Sequence, residues 1–96
     1  MTVSQTINHI NENNYDDDIT VTDVPKGHFT AVTENVFASG SSTREIRVEL
    51  LPLEQHSGGT VTTNTGLFVK QNGETAIKVT VMQNGQELGA NTVNYS

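Results

Sequence analysis

The stretch FVKQNGETAIKVTVMQNGQELGANTV, residues 68–93, decides the predicted fold of this chain. It contains two Asn-Gly pairs, Asn72-Gly73 and Asn84-Gly85, each lying between segments in which apolar and polar residues alternate. Because both residue types tolerate a positive φ angle, Asn-Gly is the strongest short-range indication of a type I′ β-hairpin. The stretch therefore predicts a C-terminal three-stranded antiparallel meander.

The two turns also predict the register of the meander, since side chains along a strand alternate between its two faces. The first turn places Phe68 opposite Ile77. The second turn places Val81 opposite Leu88, and one step further along it places Val79 opposite Ala90. One face of the meander is then apolar throughout, which predicts a buried surface made of Phe68, Ile77, Val79, Val81, Leu88 and Ala90.

The opposite face of the predicted meander is more apolar than a solvent-facing sheet surface requires. It carries Val69, Ala76, Met82, Val93 and Tyr95. Scattered apolar residues on a surface are common and form one interpretation. The other interpretation is a second contact surface, for another subunit or for the N-terminal segment. These five residues are the candidate interface.

Strand-like patterns also occur upstream of the meander. The clearest is TREIRVELL, residues 43–51, in which Ile46, Val48 and Leu50 are expected to point inward. The remaining candidates are residues 1–10, residues 18–24, residues 27–40 with a bulge or tight turn near Glu34-Asn35, and residues 57–66 as a Thr-rich edge strand or a loop.

The composition predicts an all-β protein. Val and Thr supply 25 of the 96 residues and Ala only four, and β-branched residues suit a pleated surface better than a helix. No segment has a sustained helical period, and there is no cysteine. About seven or eight short strands with frequent turns predict a single antiparallel β-sandwich or jelly-roll-like domain over residues 1–96.

Residues 11–18 are a hydrophilic break between the first predicted strand and the rest of the chain. We interpret them as an acidic loop. Such a loop would let residues 1–10 dock on, or exchange with, a neighbouring molecule.

The same break contains candidate metal ligands. Calcium prefers carboxylate, amide and carbonyl oxygens, and Asn14, Asp16, Asp17 and Asp18 offer the first two of these. Three interpretations stay open: a solvated turn, a Ca²⁺ site, and an acidic patch that meets a basic partner.

The segment NNYDDDITV, residues 13–21, resembles the acidic calcium loop of the calcium-mediated sugar-binding lectins of bacteria. In that family the loop runs Asp-Asn-Asp-Tyr-Asn-Asp into a hydrophobic strand and lies late in the chain. Here it lies near the start, so the resemblance implies a circular permutation. It also implies calcium-dependent carbohydrate binding.

The charge distribution disfavours several classes of partner. The chain has a net charge of −6, and residues 1–24 contain five acids and no Lys or Arg. Nucleic acid is not expected as a partner, because phosphate binding needs a basic surface.

No apolar run is long enough for a membrane span. The first residues do not resemble a signal peptide, so we expect cytoplasmic synthesis, with the product in a virion or a released assembly.

No catalytic motif is apparent, and the three histidines are far apart in sequence. We therefore expect a non-enzymatic structural or interaction protein without a cofactor. It would be a self-associating subunit or decoration protein of a virion or filament, with homo-oligomer or capsid neighbours as partners. The alternatives are a calcium-dependent carbohydrate-binding module and a small acidic inhibitor of a basic protein surface.

Overall fold

The structure is a computed structural model that describes residues 1–53 and 58–95. Within these residues all regular structure is β-strand, which confirms the predicted all-β class. The strands are β1 (Thr2–Asn11), β2 (Asn14–Val24), β3 (His28–Val36), β4 (Thr43–Pro52), β5 (Gly59–Asn64), β6 (Phe68–Val69), β7 (Ala76–Gln83) and β8 (Gln86–Asn94).

The strands form two sheets that pack face to face as a β-sandwich, as predicted. Sheet A has the order β1-β2-β5, and β6 pairs with β2 beyond the end of β5. Sheet B has the order β3-β4-β7-β8. The β4–β7 pair is parallel, because the chain passes through β5 and β6 of the other sheet between them. The predicted purely antiparallel arrangement is wrong at this one pair.

The core lies between the sheets and follows the period-two alternation of the strands. Ile46, Val48 and Leu50 of β4 are at most 2 % exposed, which confirms the predicted orientation of this strand. Ile19 and Val21 of β2 are completely buried. Full burial of each such side chain contributes about 1.5–3 kcal/mol to folding, so these rows supply much of the stability.

The first half of the predicted meander is wrong. Of the first Asn-Gly pair only Gly73 has a positive φ angle, and Glu74 N donates a 3.1 Å hydrogen bond to Gln71 O. Positive φ at the second central residue alone belongs to a type II turn, which does not match the twist of a hairpin. The chain therefore crosses from sheet A to sheet B, and Phe68 lies opposite Tyr15 instead of Ile77.

The second Asn-Gly pair does form the predicted hairpin, with φ angles of 50° at Asn84 and 79° at Gly85. A β-bulge at Leu88 then shifts the register by one residue. Val81 consequently lies opposite Gly89, and the predicted pairing of Val81 with Leu88 is wrong.

The same bulge places Val79 opposite Asn91 instead of Ala90. A side chain at Gly89 has little room, because a Cβ there would lie 3.3 Å from Val3 Cγ2. The bulge thus places a residue without a side chain where β8 approaches the core.

The predicted acidic loop at residues 11–18 is wrong as well. β2 begins at Asn14, so only Glu12 and Asn13 connect it to β1, and the three consecutive aspartates belong to the strand. After the aspartates Ile19 and Val21 alternate with Thr20 and Thr22, and the ten-residue β1 pairs along most of the eleven-residue β2. In the single chain β1 pairs with β2, and exchange of residues 1–10 between molecules stays a prediction.

The remaining upstream predictions agree with the structure. β3 has a register shift between Val32 and Glu34, next to the expected irregularity. Residues 59–64 form an edge strand, and Ser57 lies outside the described residues. No helix in the described part of the chain is long and apolar enough to cross a membrane.

Candidate functional site

The five candidate interface residues do not share one face of a sheet. Val69 belongs to β6 in sheet A and is 51 % exposed. Ala76 is buried in sheet B, and Met82 is half-buried. The crossover at the first Asn-Gly pair separates Val69 from the others, because it moves the chain to the second sheet.

The last two candidate interface residues face the interior. Val93 lies opposite Ile77, whose side chain is completely buried, and Tyr95 packs against the core. The bulge in β8 reverses the expected orientation of these positions, since a shift of one residue moves every later side chain to the other face.

The acidic stretch is split between the two faces of β2. Asp16 and Asp18 point to the outer face, where Asn8 Nδ2 lies 2.8 Å from Asp16 Oδ1 and 2.8 Å from Asp18 Oδ2. Asn64 Nδ2 donates a further 2.7 Å hydrogen bond to Asp18 Oδ1. The hydrogen bonds from Asn64 and Asn8 lower the pKa of Asp18. Two amides thus offset the repulsion between the two carboxylates.

Asp17 points to the core and is completely buried. Neither of its carboxylate oxygens has a hydrogen-bond partner among the described residues. Burial, with smaller contributions from the charges of Asp18 and Asp16, raises the pKa of Asp17 to about 7. Its backbone is well held, because Asp17 N donates to Thr65 Oγ1 at 3.0 Å and Thr65 N donates to Asp17 O at 3.1 Å.

The four predicted calcium ligands therefore do not converge. Asn14 lies on the side of Asp16 and Asp18, and its Nδ2 donates to Asn11 Oδ1 at 2.6 Å. In the described part of the chain no three His, Asp or Glu side chains are placed to hold a metal ion. Calcium binding stays a prediction, and of its four predicted ligands Asp16 and Asp18 present their carboxylates on one face of β2.

Sequence analysis missed a buried ion pair in the core. Arg44 Nε lies 2.8 Å and Nη2 lies 3.0 Å from the two carboxylate oxygens of Glu74, a bidentate arrangement. Both residues are at most 5 % exposed. The sequence did contain a signal, because Arg44 has the same parity along β4 as the inward-facing Ile46 and Val48.

Further contacts satisfy both members of the pair. Arg44 Nη1 donates to Asn35 Oδ1 at 2.8 Å, and the guanidinium carbon lies 4.4 Å from the centre of the Phe68 ring. Tyr95 OH donates to Glu74 Oε2 at 2.5 Å, and Gln71 N donates to Glu74 Oε1 at 3.0 Å.

These contacts shift the pKa values of Glu74 and Tyr95. Burial alone would raise the pKa of Glu74, but hydrogen bonds from Arg44, the Gln71 backbone and Tyr95 hold it below its usual value. Burial and the hydrogen bond to Glu74 raise the pKa of Tyr95. The network joins β4, the β6–β7 turn and the residue after β8, so its role is structural.

A groove of about 330 Å³ runs between the edge strands β1 and β8. Its lining is half aromatic and aliphatic and half polar, and consists of Gln5, Thr6, Ile7, His9, Tyr15, Val93, Asn94 and Tyr95. The His9 and Tyr15 rings stack with centroids 4.6 Å apart, and the Tyr15 and Tyr95 rings meet edge to face at 5.1 Å.

Gln5 lines the groove and joins the two sheets. Its Nε2 donates to Ile77 O at 3.0 Å and to Asn91 O at 3.0 Å, so a side chain of sheet A is bonded to the backbone of sheet B. These hydrogen bonds hold β1 against β8 beside the groove.

The outer faces of the two sheets differ in chemistry. Sheet B carries long charged side chains, among them Glu45 and Arg47 on β4 and Lys78 on β7. Sheet A carries mainly short hydroxyl and amide side chains, together with the carboxylates of Asp16 and Asp18. These side chains form rows across the strands: Thr2 with Thr22, Ser4 with Thr20 and Thr62, Thr6 with Asp18 and Asn64, and Asn8 with Asp16.

No protein-family model matches this chain, and no curated protein and no solved structure is significantly similar to it. A functional proposal therefore depends on the surfaces and buried groups described above.

Proposed function

We propose that this chain is a non-enzymatic structural protein that works by self-association, as a subunit or decoration protein of a virion or filament. One observation carries the proposal. Both edge strands of sheet A, β1 and β5, lack any charged side chain, although the chain has a net charge of −6.

The edge of a sheet presents unpaired N–H and C=O groups that can pair with another strand. Proteins that stay monomeric protect such edges with Lys, Pro or bulges. The sequences of β1 (TVSQTINHIN) and β5 (GTVTTN) contain neither Lys nor Pro, and their register shifts against β2 lie at one end of each strand. A sheet with two such edges can join neighbours on two sides, which an extended assembly requires.

The placement of the acids supports the same proposal. Glu45 and Glu49 lie on β4 in the middle of sheet B, and Asp16 and Asp18 lie on the central strand of sheet A. At physiological ionic strength charges are screened beyond about 8 Å. Two copies that meet edge to edge therefore keep most of their negative charge apart.

The test is the mass of the native protein over a range of concentration, by native mass spectrometry and sedimentation velocity. We expect oligomers at micromolar concentration that persist in high salt, because the contacts are uncharged. A chain that is monomeric up to millimolar concentration contradicts the proposal. Binding to a basic protein that weakens steeply with salt would instead favour the acidic inhibitor.

One specific observation supports the alternative function, a calcium-dependent carbohydrate-binding module. Asp16 and Asp18 point to the same side, with only the Asn8 amide between their carboxylates. The same mass spectra, recorded with and without calcium, detect bound metal directly.

A further inference from the structure

We propose that a second copy of this chain adds to the free edge of β1, antiparallel to it and around a twofold axis, so that the two A sheets become one continuous sheet. This inference rests on the proposed function and names the surface through which self-association occurs. The partner is identified by the chemistry of the edge, by the pairs that it makes with itself, and by the groove beside it.

β1 differs from the edge strands β3, β5 and β8 in having a long uncharged segment whose register is regular. β3 carries Glu34 and a register shift, and β8 carries Glu87 and the bulge at Leu88. β5 is uncharged but has only six residues. β1 has ten residues, and its register with β2 is unbroken from Thr2 to His9 and shifts between His9 and Asn11, next to the turn into β2. A long, regular and uncharged edge is the best template for an added strand.

The sequence of β1 is complementary to itself in the antiparallel direction. A twofold axis perpendicular to the sheet and passing through Gln5 places Val3 opposite Ile7 of the second copy, on the core side. On the outer side it places Ser4 opposite Thr6. Apolar side chains then meet apolar ones and hydroxyls meet hydroxyls, pairs that contribute about 0.2–1 kcal/mol each.

The groove between β1 and β8 lies on the same side of the molecule. Ile7, Val93 and Tyr95 form its apolar wall. In the twofold arrangement Val3 of the second copy lies beside Ile7, at the entrance to the groove, and the symmetric contact occurs on the other side of the axis. The added copy thus shields apolar surface as well as pairing backbone groups.

Charge does not oppose this contact. On the side of the molecule that carries the groove, β1 has no charged side chain and β8 has only Glu87, next to its hairpin turn. An ammonium group beside the groove, Lys70 Nζ, lies 4.7 Å from the centre of the Tyr95 ring and is held there by a cation–π contact. The edge at β5 stays free, so the twofold pair can take part in a second, different contact in a larger assembly.

The test compares two double variants of equal charge on the outer face of sheet A. In Ser4→Lys with Thr6→Lys, ammonium groups of the two copies would lie directly opposite each other, which is destabilising. In Thr20→Lys with Thr22→Lys the same two charges lie on β2, one strand away from the edge at β1. We expect a wild-type dimer, a dissociation constant raised at least tenfold in the first variant, and wild-type behaviour in the second.

Circular dichroism and melting temperature show whether both variants remain folded. A second measurement does not depend on mutation: on dilution of the wild-type protein, backbone amides of β1 should lose protection from hydrogen exchange, while those of β5 should not change.

The outcomes separate this inference from the function on which it rests. A wild-type monomer contradicts both. An oligomer that survives the β1 variant but dissociates in Thr60→Lys with Thr62→Lys, on β5, overturns the inference and leaves self-association intact. An oligomer that survives every edge variant overturns the inference as well.

Discussion

Two buried carboxylates in this molecule have pKa values shifted in opposite directions. Glu74 accepts hydrogen bonds from a guanidinium, a phenol and a backbone amide, and its pKa is lowered. Asp17 is equally buried but has no donor among the described residues, and its pKa is raised to about 7. Burial is common to both carboxylates, so the presence or absence of hydrogen-bond donors decides the direction of the pKa shift.

Asp17→Asn should stabilise the protein, and the gain should depend on pH. The ordinary pKa of 3.8 applies to the unfolded chain, so the folded state holds its proton up to about pH 7 and loses stability as pH rises from about 4 to 7. We expect almost no gain at pH 4 and about 2–4 kcal/mol at pH 8. Urea unfolding at several pH values measures it, with the exposed Asp23→Asn on the same strand as the control.

Glu74→Gln should destabilise the protein by about 3–5 kcal/mol at neutral pH, because it leaves the Arg44 guanidinium buried without a counter-charge. The chain provides a matched control in Glu34→Gln, which breaks a 3.5 Å pair with Arg47 between half-exposed side chains. That change should cost at most about 1 kcal/mol. Equal losses in thermal unfolding of the two variants would contradict a structural role for the buried pair.

At the scale of the elements, the same dipeptide makes two different turns. Asn84-Gly85 forms the hairpin that its residues favour. Asn72-Gly73 is followed by Glu74, whose carboxylate is held in the core by Arg44 of β4. Because the buried ion pair draws the chain towards sheet B, the turn becomes a crossing between sheets. The tertiary contact overrides the local preference.

The start of β5 offers a test at this scale. Gly58 and Gly59 both have positive φ angles, but a Cβ on Gly58 would lie 2.8 Å from Lys26 N and 2.8 Å from Val24 O, whereas one on Gly59 meets nothing within 4 Å. Gly59→Ala should cost about 1 kcal/mol from backbone strain alone. Gly58→Ala should cost about 2–4 kcal/mol, since backbone atoms must also move. Melting temperatures that rank the two variants the other way would contradict this packing.

At the scale of the whole molecule, charged and uncharged polar side chains lie on different sides of the sandwich. The outer face of sheet B is charged, the outer face of sheet A is composed mainly of short hydroxyl and amide groups, and the side between β1 and β8 is almost uncharged. Such a division suits a protein that meets neighbours in fixed directions, which is why self-association is the function that we propose.

Calcium should leave the melting temperature of the wild-type protein unchanged, because Asn8 and Asn64 already donate to the outward-facing carboxylates. A bound ion at a hundred times its dissociation constant would add about 2.7 kcal/mol. A rise in melting temperature in millimolar calcium that Asp16→Asn abolishes and Asp23→Asn retains would contradict this expectation and support the calcium-dependent alternative.

The sequence by itself determined the class of fold, because alternation and β-branched composition act locally. The parity of residues along β4 shows which side chains face inward. Asn84-Gly85 gives a hairpin because both residues tolerate a positive φ angle. The same parity would have revealed Arg44 as an inward-facing charge. The buried row of β4 and the absence of cysteine are both evident without coordinates.

Only the tertiary structure decided which strands pair and which polar groups meet. Period two gives each side chain a face but gives no strand a partner, so the parallel β4–β7 pair and the position of β6 beside β2 could not be derived. One bulge at Leu88 reversed the predicted surface of β8, since it shifts the phase of every later residue. The donors around Glu74 and their lack around Asp17 likewise depend on contacts between residues far apart in sequence.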